Sequence, residues 1–345
     1  MTSRAILHAI STRYPFEGDV LERDALPVLH ICGLFLCIIG LGLLSDIVRL
    51  DVDGLKGLFA SVGLLWAAGL VSQCIRLRAV GEALKIVAIF ALLCLVAPLA
   101  TAVLARISNP LADDVLAHVD RLLLFDLDWP AMVLGIDRHP LIIGILNYAY
   151  CSLNWQPVFL IFAFCLINRT PRAWAMLQVF AGALAMCIVV FPFAPAVGGY
   201  IYFGISPETV PDVRVTVAWD AAKILYGLKD GTLTVLGTDA LAGIVTMPSF
   251  HVASALILAW SAWTVPTLRW PFAAINLLMV VSAVPVGGHY VVDTMAGAAC
   301  ALLSIGIFTF ARTRSAAEAI AAPCHVYALK FLKRIHGIEK PGGMA

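Results

Sequence analysis

The sequence contains few charged residues and no clear excess of either sign. Asp, Glu, Lys and Arg make up 13% of its 345 residues, and the formal net charge is +1. An ordinary globular protein has about 25% charged residues. A nucleic-acid-binding protein needs a basic excess, so the balance excludes that class and we expect no nucleic-acid partner. A disordered chain is also excluded, because such chains are poor in apolar residues.

Motifs that hold metals, disulfides or nucleotides are missing as well. The nine cysteines form no Cys-x-x-Cys pair, and most lie inside apolar runs. We therefore interpret them as small packing residues rather than as a disulfide framework or a zinc site. The sequence has no phosphate-binding P-loop and no Gly-x-Gly-x-x-Gly motif. We expect no cofactor and no metal.

Apolar residues are abundant: 61% of the chain belongs to the hydrophobic class, and the mean hydropathy is +0.93. A helix needs about 20 apolar residues to cross a bilayer. The sequence predicts an all-α polytopic integral membrane bundle with about eight transmembrane helices. The predicted spans are 26–48, 55–75, 80–105, 140–167, 173–194, 248–266, 270–287 and 289–311. Polar residues and Pro157 interrupt the fourth of these runs.

The distribution of Lys and Arg predicts how the chain is oriented. With eight spans, the N-terminal tail 1–25 and the basic tail 312–345 lie on the side that carries the denser basic residues, which is expected to be cytoplasmic. The long loop 195–247 then faces outward, with a short helix expected at 218–228. The basic tail is either an amphipathic helix on the membrane surface or a solvated segment. We expect a multi-pass protein of the cell membrane.

Two histidine clusters stand at span ends on the predicted outer face. In Pro248-Ser249-Phe250-His251, Ser249 is expected to cap a helix whose free N–H groups can bind an anion. In Gly287-Gly288-His289-Tyr290-Val291-Val292-Asp293, the spacing places His289 and Asp293 on one helix face. Asp293 can then hold the Nδ1 proton and leave Nε2 of His289 as a base or nucleophile. A single span and its return separate the two clusters, so the two helix starts can converge.

These motifs resemble the PAP2 superfamily of lipid phosphatases and phosphotransferases. Pro248–His251 is similar to its second motif, and His289–Asp293 to its third motif. The form of the third motif, the Phe191–Pro195 stretch (FPFAP) and the Asp120–Phe125 stretch with Pro130 resemble the inositolphosphotransferase, or inositol phosphorylceramide synthase, branch. The resemblance covers roughly 110–311, which would form a catalytic membrane domain. The first three spans, 26–105, are accessory.

The resemblance implies a mechanism and a substrate class. His289 would attack phosphorus and form a phosphohistidine, Asp293 would orient it, and His251 would protonate the leaving alkoxide and then activate the acceptor. Ser249 and Gly288 would contact the phosphate. The implied substrate is a lipid phosphate or phospholipid in the outer leaflet, and the site would be extracytoplasmic. The acceptor would be an alcohol such as inositol or, in a plain lipid phosphate phosphatase, water.

The basic residues that would neutralise the phosphate are not evident. The superfamily's first motif, KxxxxxxRP, is absent, and Ser282-Ala283 stands where the third motif has Ser-Arg. The inositolphosphotransferase branch departs from the same two patterns. Lys223, Lys229 and Arg214 in the outer loop are the candidates for the phosphate clamp. A non-enzymatic lipid-binding or transport protein on the same fold is the alternative function.

Three further patterns are explained by ordinary structural roles. The acidic residues Asp113, Asp114, Asp120, Asp126 and Asp128 are compatible with a divalent cation site, but an ordinary interfacial helix explains them better. His251, His289 and Asp293 are also zinc-ligand types, but no HExxH motif accompanies them. The aromatic residues near span ends are expected to form an interfacial belt. They are Tyr148, Tyr150, Tyr200, Tyr202, Trp155, Trp219, Trp263 and Trp270.

Overall fold

The computed structural model describes the backbone of residues 19–126 and 128–335 and the side chains of 24–126 and 128–314. Most of the predicted N-terminal tail, residues 1–18, lies outside the described residues. The side chains of the basic tail beyond Arg314 lie outside them too, so its amphipathic character stays a prediction.

Three long helices form the accessory part of the bundle: α1 (Asp19–Leu44), α2 (Val52–Cys74) and α3 (Arg78–Arg106). Helix α3 is central, because it packs against both α1 and α2. Its Lys85 is buried at membrane depth, where an unpaired charge is costly. The ammonium is compensated by Glu82 one turn away, with 3.0 Å between Nζ and Oε1.

The middle of the chain contains five helices: α4 (Asp113–Leu123), α5 (Trp129–Asp137), α6 (Pro140–Cys151), α7 (Gln156–Leu166) and α8 (Thr170–Val190). Helices α6 and α7 correspond to the predicted fourth span. They are joined by a 3₁₀ turn and meet at a bend of 57°. The bend falls where the sequence has polar residues and a proline, which cannot continue the helical hydrogen bonds.

The loop that follows α8 folds over one end of the bundle. It contains the one-turn helix α9 (Gly199–Tyr202) and helix α10 (Val217–Asp230), which confirms the predicted short helix. Strand β1 (Arg49–Leu50) lies between α1 and α2, and it pairs in parallel with β2 (Val235–Leu236) of the loop. This pair ties the accessory helices to the loop.

The last three helices are α11 (Phe250–Ala262), α12 (Pro266–Ser282) and α13 (Val291–Ile335). Helix α11 is surrounded, since it packs against α8, α12 and α13. Helix α13 packs against α8 and, near its start, against α4. The two predicted histidine clusters therefore lie at the beginnings of neighbouring helices.

Within the described residues, five helices are long and apolar enough to cross a membrane. They are α1, α2, α3, α8 and α13, and the bent pair α6–α7 makes up to six. Helices occupy all eight predicted positions, but α11 and α12 have only 13 and 17 residues. Large apolar side chains face outward, including Leu64 (70% exposed) and Phe310 (68%). The protein is thus a helical membrane protein, while the number of eight spans is not confirmed.

Candidate active site

His289 lies in the turn that precedes α13, and Asp293 lies in the first turn of that helix. Nδ1 of His289 is 3.5 Å from Oδ2 of Asp293, and both side chains are buried. The two groups are therefore adjacent but not hydrogen-bonded, and His289 precedes the helix instead of sharing its face. Nδ1 of His289 and Oδ1 of Asp293 have no hydrogen-bond partner among the described residues. Hydrogen bonds of catalytic groups are often long without substrate and tighten when it binds.

Two carboxylates cap the start of α13. The backbone N–H of Tyr290 donates to Oδ2 of Asp293 (3.0 Å), which closes the helix as the acidic residue of a capping box does. The N–H groups of Val291 and Val292 donate to the two carboxylate oxygens of Asp120 at 2.7 and 2.8 Å. Because the first N–H groups of a helix have no partner inside it, these contacts fix the direction in which the helix begins. They also hold the backbone next to His289.

Asp113 joins three segments around the same turn. Its carboxylate accepts hydrogen bonds from the N–H groups of Val197 (3.1 Å) and Gly198 (3.0 Å) and from the hydroxyl of Tyr290 (3.0 Å). Gly198 has a φ of 90°, a conformation that favours glycine. The carbonyl oxygen of Gly288 lies beside Gly198 and accepts a hydrogen bond from the N–H of the next residue, Gly199, at 2.8 Å. The turn that carries His289 is thus held from both sides.

The Phe191–Pro195 stretch supports Asp113. The carbonyl of Pro192 accepts the N–H of Asn109 (2.9 Å), and the carbonyl of Pro195 accepts the N–H of Ala112 (2.8 Å). These two bonds fix the segment immediately before α4. The motif after α8 therefore sets the position of the helix that carries Asp113 and Asp120.

Ser249 caps α11 as the sequence predicted. Its Oγ accepts the N–H of Val252 at 3.5 Å, and its own N–H donates to the carbonyl of Asp293 at 3.0 Å. A Cβ atom at Gly297 would collide with the carbonyl of Ser249, so glycine is needed where α11 and α13 cross. The starts of the two helices are therefore joined directly, which fixes His251 relative to His289.

The imidazole of His251 is stacked on the ring of Tyr150, with 3.9 Å between ring centroids and 13° between planes. A Cβ atom at Gly287 would lie 2.7 Å from the Tyr150 ring and 3.0 Å from Cδ2 of His289. Tyr150 thus lies beside both histidines and orients one of them. The position of Tyr150 near a span end predicts a place in an interfacial belt, but its side chain is only 5% exposed. Trp270, at 68% exposed, fits the belt better.

His251 and His289 line one cavity of about 500 Å³. Ligand sites commonly have volumes of roughly 300–1,000 Å³. Residues from α3, α6, α8, α10 and the outer loop complete its wall. The two predicted catalytic histidines, which are far apart in sequence, therefore meet at a single cavity.

The predicted binding residues are distributed differently. Ser249 is fully buried under the first turn of α11, and Gly288 is buried with a φ of 70°. Among the residues that line the cavity, Gly287 is present but Ser249 and Gly288 are not. A direct contact of Ser249 or Gly288 with phosphate stays a prediction.

The three candidates for the phosphate clamp lie away from the cavity wall. Lys223 is exposed and pairs with Asp220, with 3.4 Å between Nζ and Oδ1. Lys229 donates to the carbonyl of Asn109 (2.7 Å) and to Oγ of Ser108 (3.0 Å), so it ties α10 to the end of α3. Arg214 is exposed in the loop. The described cavity wall contains no Lys and no Arg.

Asp113 and Asp120 are the site residues whose role the sequence did not reveal. Burial raises the pKa of both carboxyl groups above the ordinary value, and the N–H donors partly offset that effect. Burial also raises the pKa of the Tyr290 phenol, and the adjacent Asp113 carboxylate raises it further. The sequence signal for Asp120 was the resemblance of the Asp120–Phe125 stretch, whereas Asp113 stood out only as one of several acidic residues. Among the described residues no cluster of three or more His, Cys, Asp or Glu is arranged to hold a metal ion.

The substitution Asp120→Asn is expected to misplace His289. The amide NH2 replaces one of the two carboxylate oxygens that now accept separate N–H groups, so a partly buried donor is left facing another donor, which costs up to roughly 1–3 kcal/mol. A displaced catalytic group lowers turnover by up to about 10²-fold. We expect a decrease in kcat of roughly 10- to 100-fold, measured with purified protein in detergent.

The matched control for this substitution is Asp126→Asn. Asp126 is exposed and has a φ of 62°, which asparagine also tolerates. It should retain full activity. Equal activity of the two variants would contradict a positioning role for Asp120.

Comparison with known proteins completes the description of the site. The sequence model of the PAP2 superfamily matches residues 114–307, which is more than half of the chain. The match includes Asp120, both histidine motifs and Asp293, but not α1, α2 and α3. Neither the curated proteins nor the solved structures gave a match.

Proposed function

Because the chain belongs to the PAP2 superfamily, whose members are typically phosphatases or phosphotransferases, we propose that it is a membrane-embedded phosphotransferase acting on a lipid phosphate or phospholipid. The observation that carries the proposal is the shared cavity, because His251 and His289 both line it. Asp293 lies next to His289, with 3.5 Å between Oδ2 and Nδ1. Such a group of nucleophile, orienting carboxylate and second imidazole suits acid–base and covalent catalysis.

In the proposed first step, Nε2 of His289 attacks phosphorus and the bond between phosphorus and the leaving oxygen breaks. His251 gives its proton to the leaving alkoxide. The Asp293 carboxylate holds the Nδ1 proton of His289 and stabilises the positive charge on its ring. The Tyr150 stack fixes the plane of the His251 ring, so its proton is delivered in one direction.

In the second step, an oxygen acceptor attacks phosphorus, the bond between phosphorus and Nε2 breaks, and His251 takes the acceptor's proton. The resemblance to the inositolphosphotransferase branch favours an alcohol such as inositol over water. With water as acceptor, the same residues would act as a lipid phosphate phosphatase.

Stabilisation of the phosphate charge is proposed to come mainly from the start of α11. Phe250 and His251 line the cavity, and the N–H groups of a first helical turn bind anions with the help of the helix dipole. Ser249 and Gly288 would contact the same phosphate oxygens. A protonated His251 adds a positive charge. Lys223, Lys229 and Arg214 would contribute only after the outer loop moves.

The proposed topology has eight spans, with the site on the extracytoplasmic side. Helix α11 has 13 residues, so it is about 20 Å long, whereas the hydrocarbon core is about 30 Å thick. Its start would therefore lie below the membrane surface, where it is reached by lipid. Three loops meet at this end: 45–51, 107–112 and 195–247. Because these three loops share one end of the bundle, they agree with the prediction that they lie on the same side of the membrane.

The test of this proposal is a covalent trap. The protein is incubated with ³²P-labelled lipid phosphates and quenched rapidly in base, which preserves phosphohistidine. We expect label on the protein that acid removes, and its transfer to inositol or water on a longer incubation. No turnover of any lipid phosphate or phospholipid would overturn the proposed function. Turnover without any labelled protein would overturn the phosphohistidine.

The second candidate, a lipid-binding or transport protein, rests on one observation: the described cavity wall has no Lys or Arg. Binding of vanadate, an analogue of the phosphoryl group in transfer, separates the two functions. Loss of vanadate binding in the His251→Ala, His289→Ala double variant favours the enzyme. Binding that is indifferent to both changes favours the alternative.

A further inference from the structure

The cavity extends from the two histidines along one face of an accessory helix. The residues of α3 that line it follow helical spacing, so they share one face. These residues are Phe90, Cys94, Ala97, Pro98 and Thr101. The carboxyl end of α3 is at the loop end of the bundle, because Arg106 donates to the carbonyl of Leu228 in α10 at 2.7 Å. Phe90 is 11 residues before Thr101, so this wall reaches roughly 16 Å deeper into the bundle.

Helix α8, which packs against α3, supplies a second part of the wall over roughly 12 Å. Its lining residues again share one face and run from Ile188 at the loop end to Phe180. Between them lie Leu184 and Cys187. The cavity is thus a slot between α3 and α8 with a polar end at His251 and His289.

The slot has the chemistry of a site for an aliphatic chain. No Asp, Glu, Lys or Arg lines the cavity within the described residues, and the two walls are almost entirely apolar. Cys94 is exposed although it lies in the middle of α3, because the slot leaves its side chain uncovered. The cavity volume of about 500 Å³ lies within the range of about 300–1,000 Å³ that ligand sites commonly have.

We propose that this slot holds the aliphatic tail of the lipid whose phosphate lies between His251 and His289. The inference rests on the proposed function and adds the substrate's tail to it. Helix α3 lies outside residues 114–307, which match the superfamily, so an accessory span provides part of the tail site. The depth of the slot then selects tail length.

The test measures kcat/KM for a series of single-tailed lipid phosphates of increasing tail length. Transfer of one methylene from water into the slot would raise kcat/KM about fourfold, but a tail that starts in an apolar micelle gains only the packing contacts of the slot, so we expect a smaller increase per methylene. We expect this increase to stop at the length that fills the slot. All substrates are presented at one surface concentration in mixed micelles, so that partition into the micelle is equal.

Substitutions of Leu184 should change, in both directions, the tail length at which kcat/KM stops rising. Leu184→Trp fills part of the slot and should shorten the preferred tail, while Leu184→Ala should lengthen it. Cys94→Phe tests the wall from the accessory helix and should also shorten it. Val189→Trp is the matched control, because Val189 is 53% exposed on the same helix and does not line the cavity.

The outcomes separate this inference from the proposed function. The readout within each variant is the ratio of kcat/KM between long and short substrates, which does not depend on how much catalytic activity the substitution leaves, and Val189→Trp should keep the wild-type ratio and rate. If the variants then keep the wild-type length profile, the tail lies elsewhere in the bilayer and the inference is wrong, while the proposed function stands. If the wild-type protein turns over no lipid phosphate and no phospholipid, both fail.

Discussion

Replacement of His289 by alanine is expected to reduce turnover of a lipid phosphate by at least about 10⁴-fold, since removal of a covalent nucleophile has effects of this size or larger. The imidazole is the group that forms the bond to phosphorus in the proposed mechanism. The hydrogen bonds that hold the turn should survive, because Trp129 Nε1 donates to the backbone carbonyl of residue 289 at 3.2 Å. The loss should therefore appear in kcat and not in folding.

The measurement compares His289→Ala with His139→Ala. His139 is exposed outside the cavity, and its backbone carbonyl, which accepts the N–H of Ile143 at 3.1 Å, is unchanged by the substitution. Both variants should elute like the wild type in detergent, and only His289→Ala should lose activity and ³²P labelling. Wild-type turnover by His289→Ala would rule out the proposed nucleophile.

Much of the fold could be predicted because membrane helices depend on local properties. Long apolar runs predicted helices at all eight positions, and the interruption of the fourth run marked the bend between α6 and α7. The cap at Ser249 was also local, since a serine before an apolar run satisfies N–H groups of its own helix. Helix lengths were less predictable. The sequence placed a span at 248–266, but α11 ends at Ala262.

The support of His289 could not be predicted in the same way. Asp113 and Asp120 contact residues more than 170 positions later in the chain. An acidic residue in an amphipathic segment has the same local pattern whether it faces water or caps another helix. Only the three-dimensional arrangement distinguishes the two, and it assigns Asp120 to the start of α13. The prediction that Tyr150 lies in an interfacial belt was wrong for the same reason, because an aromatic residue near a span end is typical of the membrane interface.

The accessory helices illustrate a further limit of local patterns. The apolar face of α3 predicted a span, but no sequence pattern indicates that part of this face lines a cavity instead of packing against a neighbour. The clamp candidates show a related limit. Lys229 has the right charge, but in the structure it ties α10 to the end of α3. A clamp role for Lys223, Lys229 and Arg214 stays a prediction, because charge alone does not tell which basic residues approach a phosphate.

The substitution His251→Gln is expected to lower kcat for a lipid phosphate by about 10²–10⁴-fold, the usual contribution of a general acid or base. Glutamine has a similar size, so the stack on Tyr150 is disturbed less than by alanine. In the proposed mechanism His251 acts twice, first as the acid for the leaving alkoxide and then as the base for the acceptor. These two roles can be separated by changing the leaving group.

A nitrophenyl phosphate ester provides that change, because nitrophenolate leaves without needing a proton. With this substrate, His251→Gln should form the phosphohistidine nearly as fast as the wild type and then release it slowly. The expected result is a stoichiometric burst of nitrophenolate, followed by a slow steady rate and by accumulation of ³²P on the protein. His289→Ala should give no burst. If His251→Gln is equally slow in the burst and with the lipid substrate, His251 is not the proton donor, and its contact with Tyr150 only shapes the cavity.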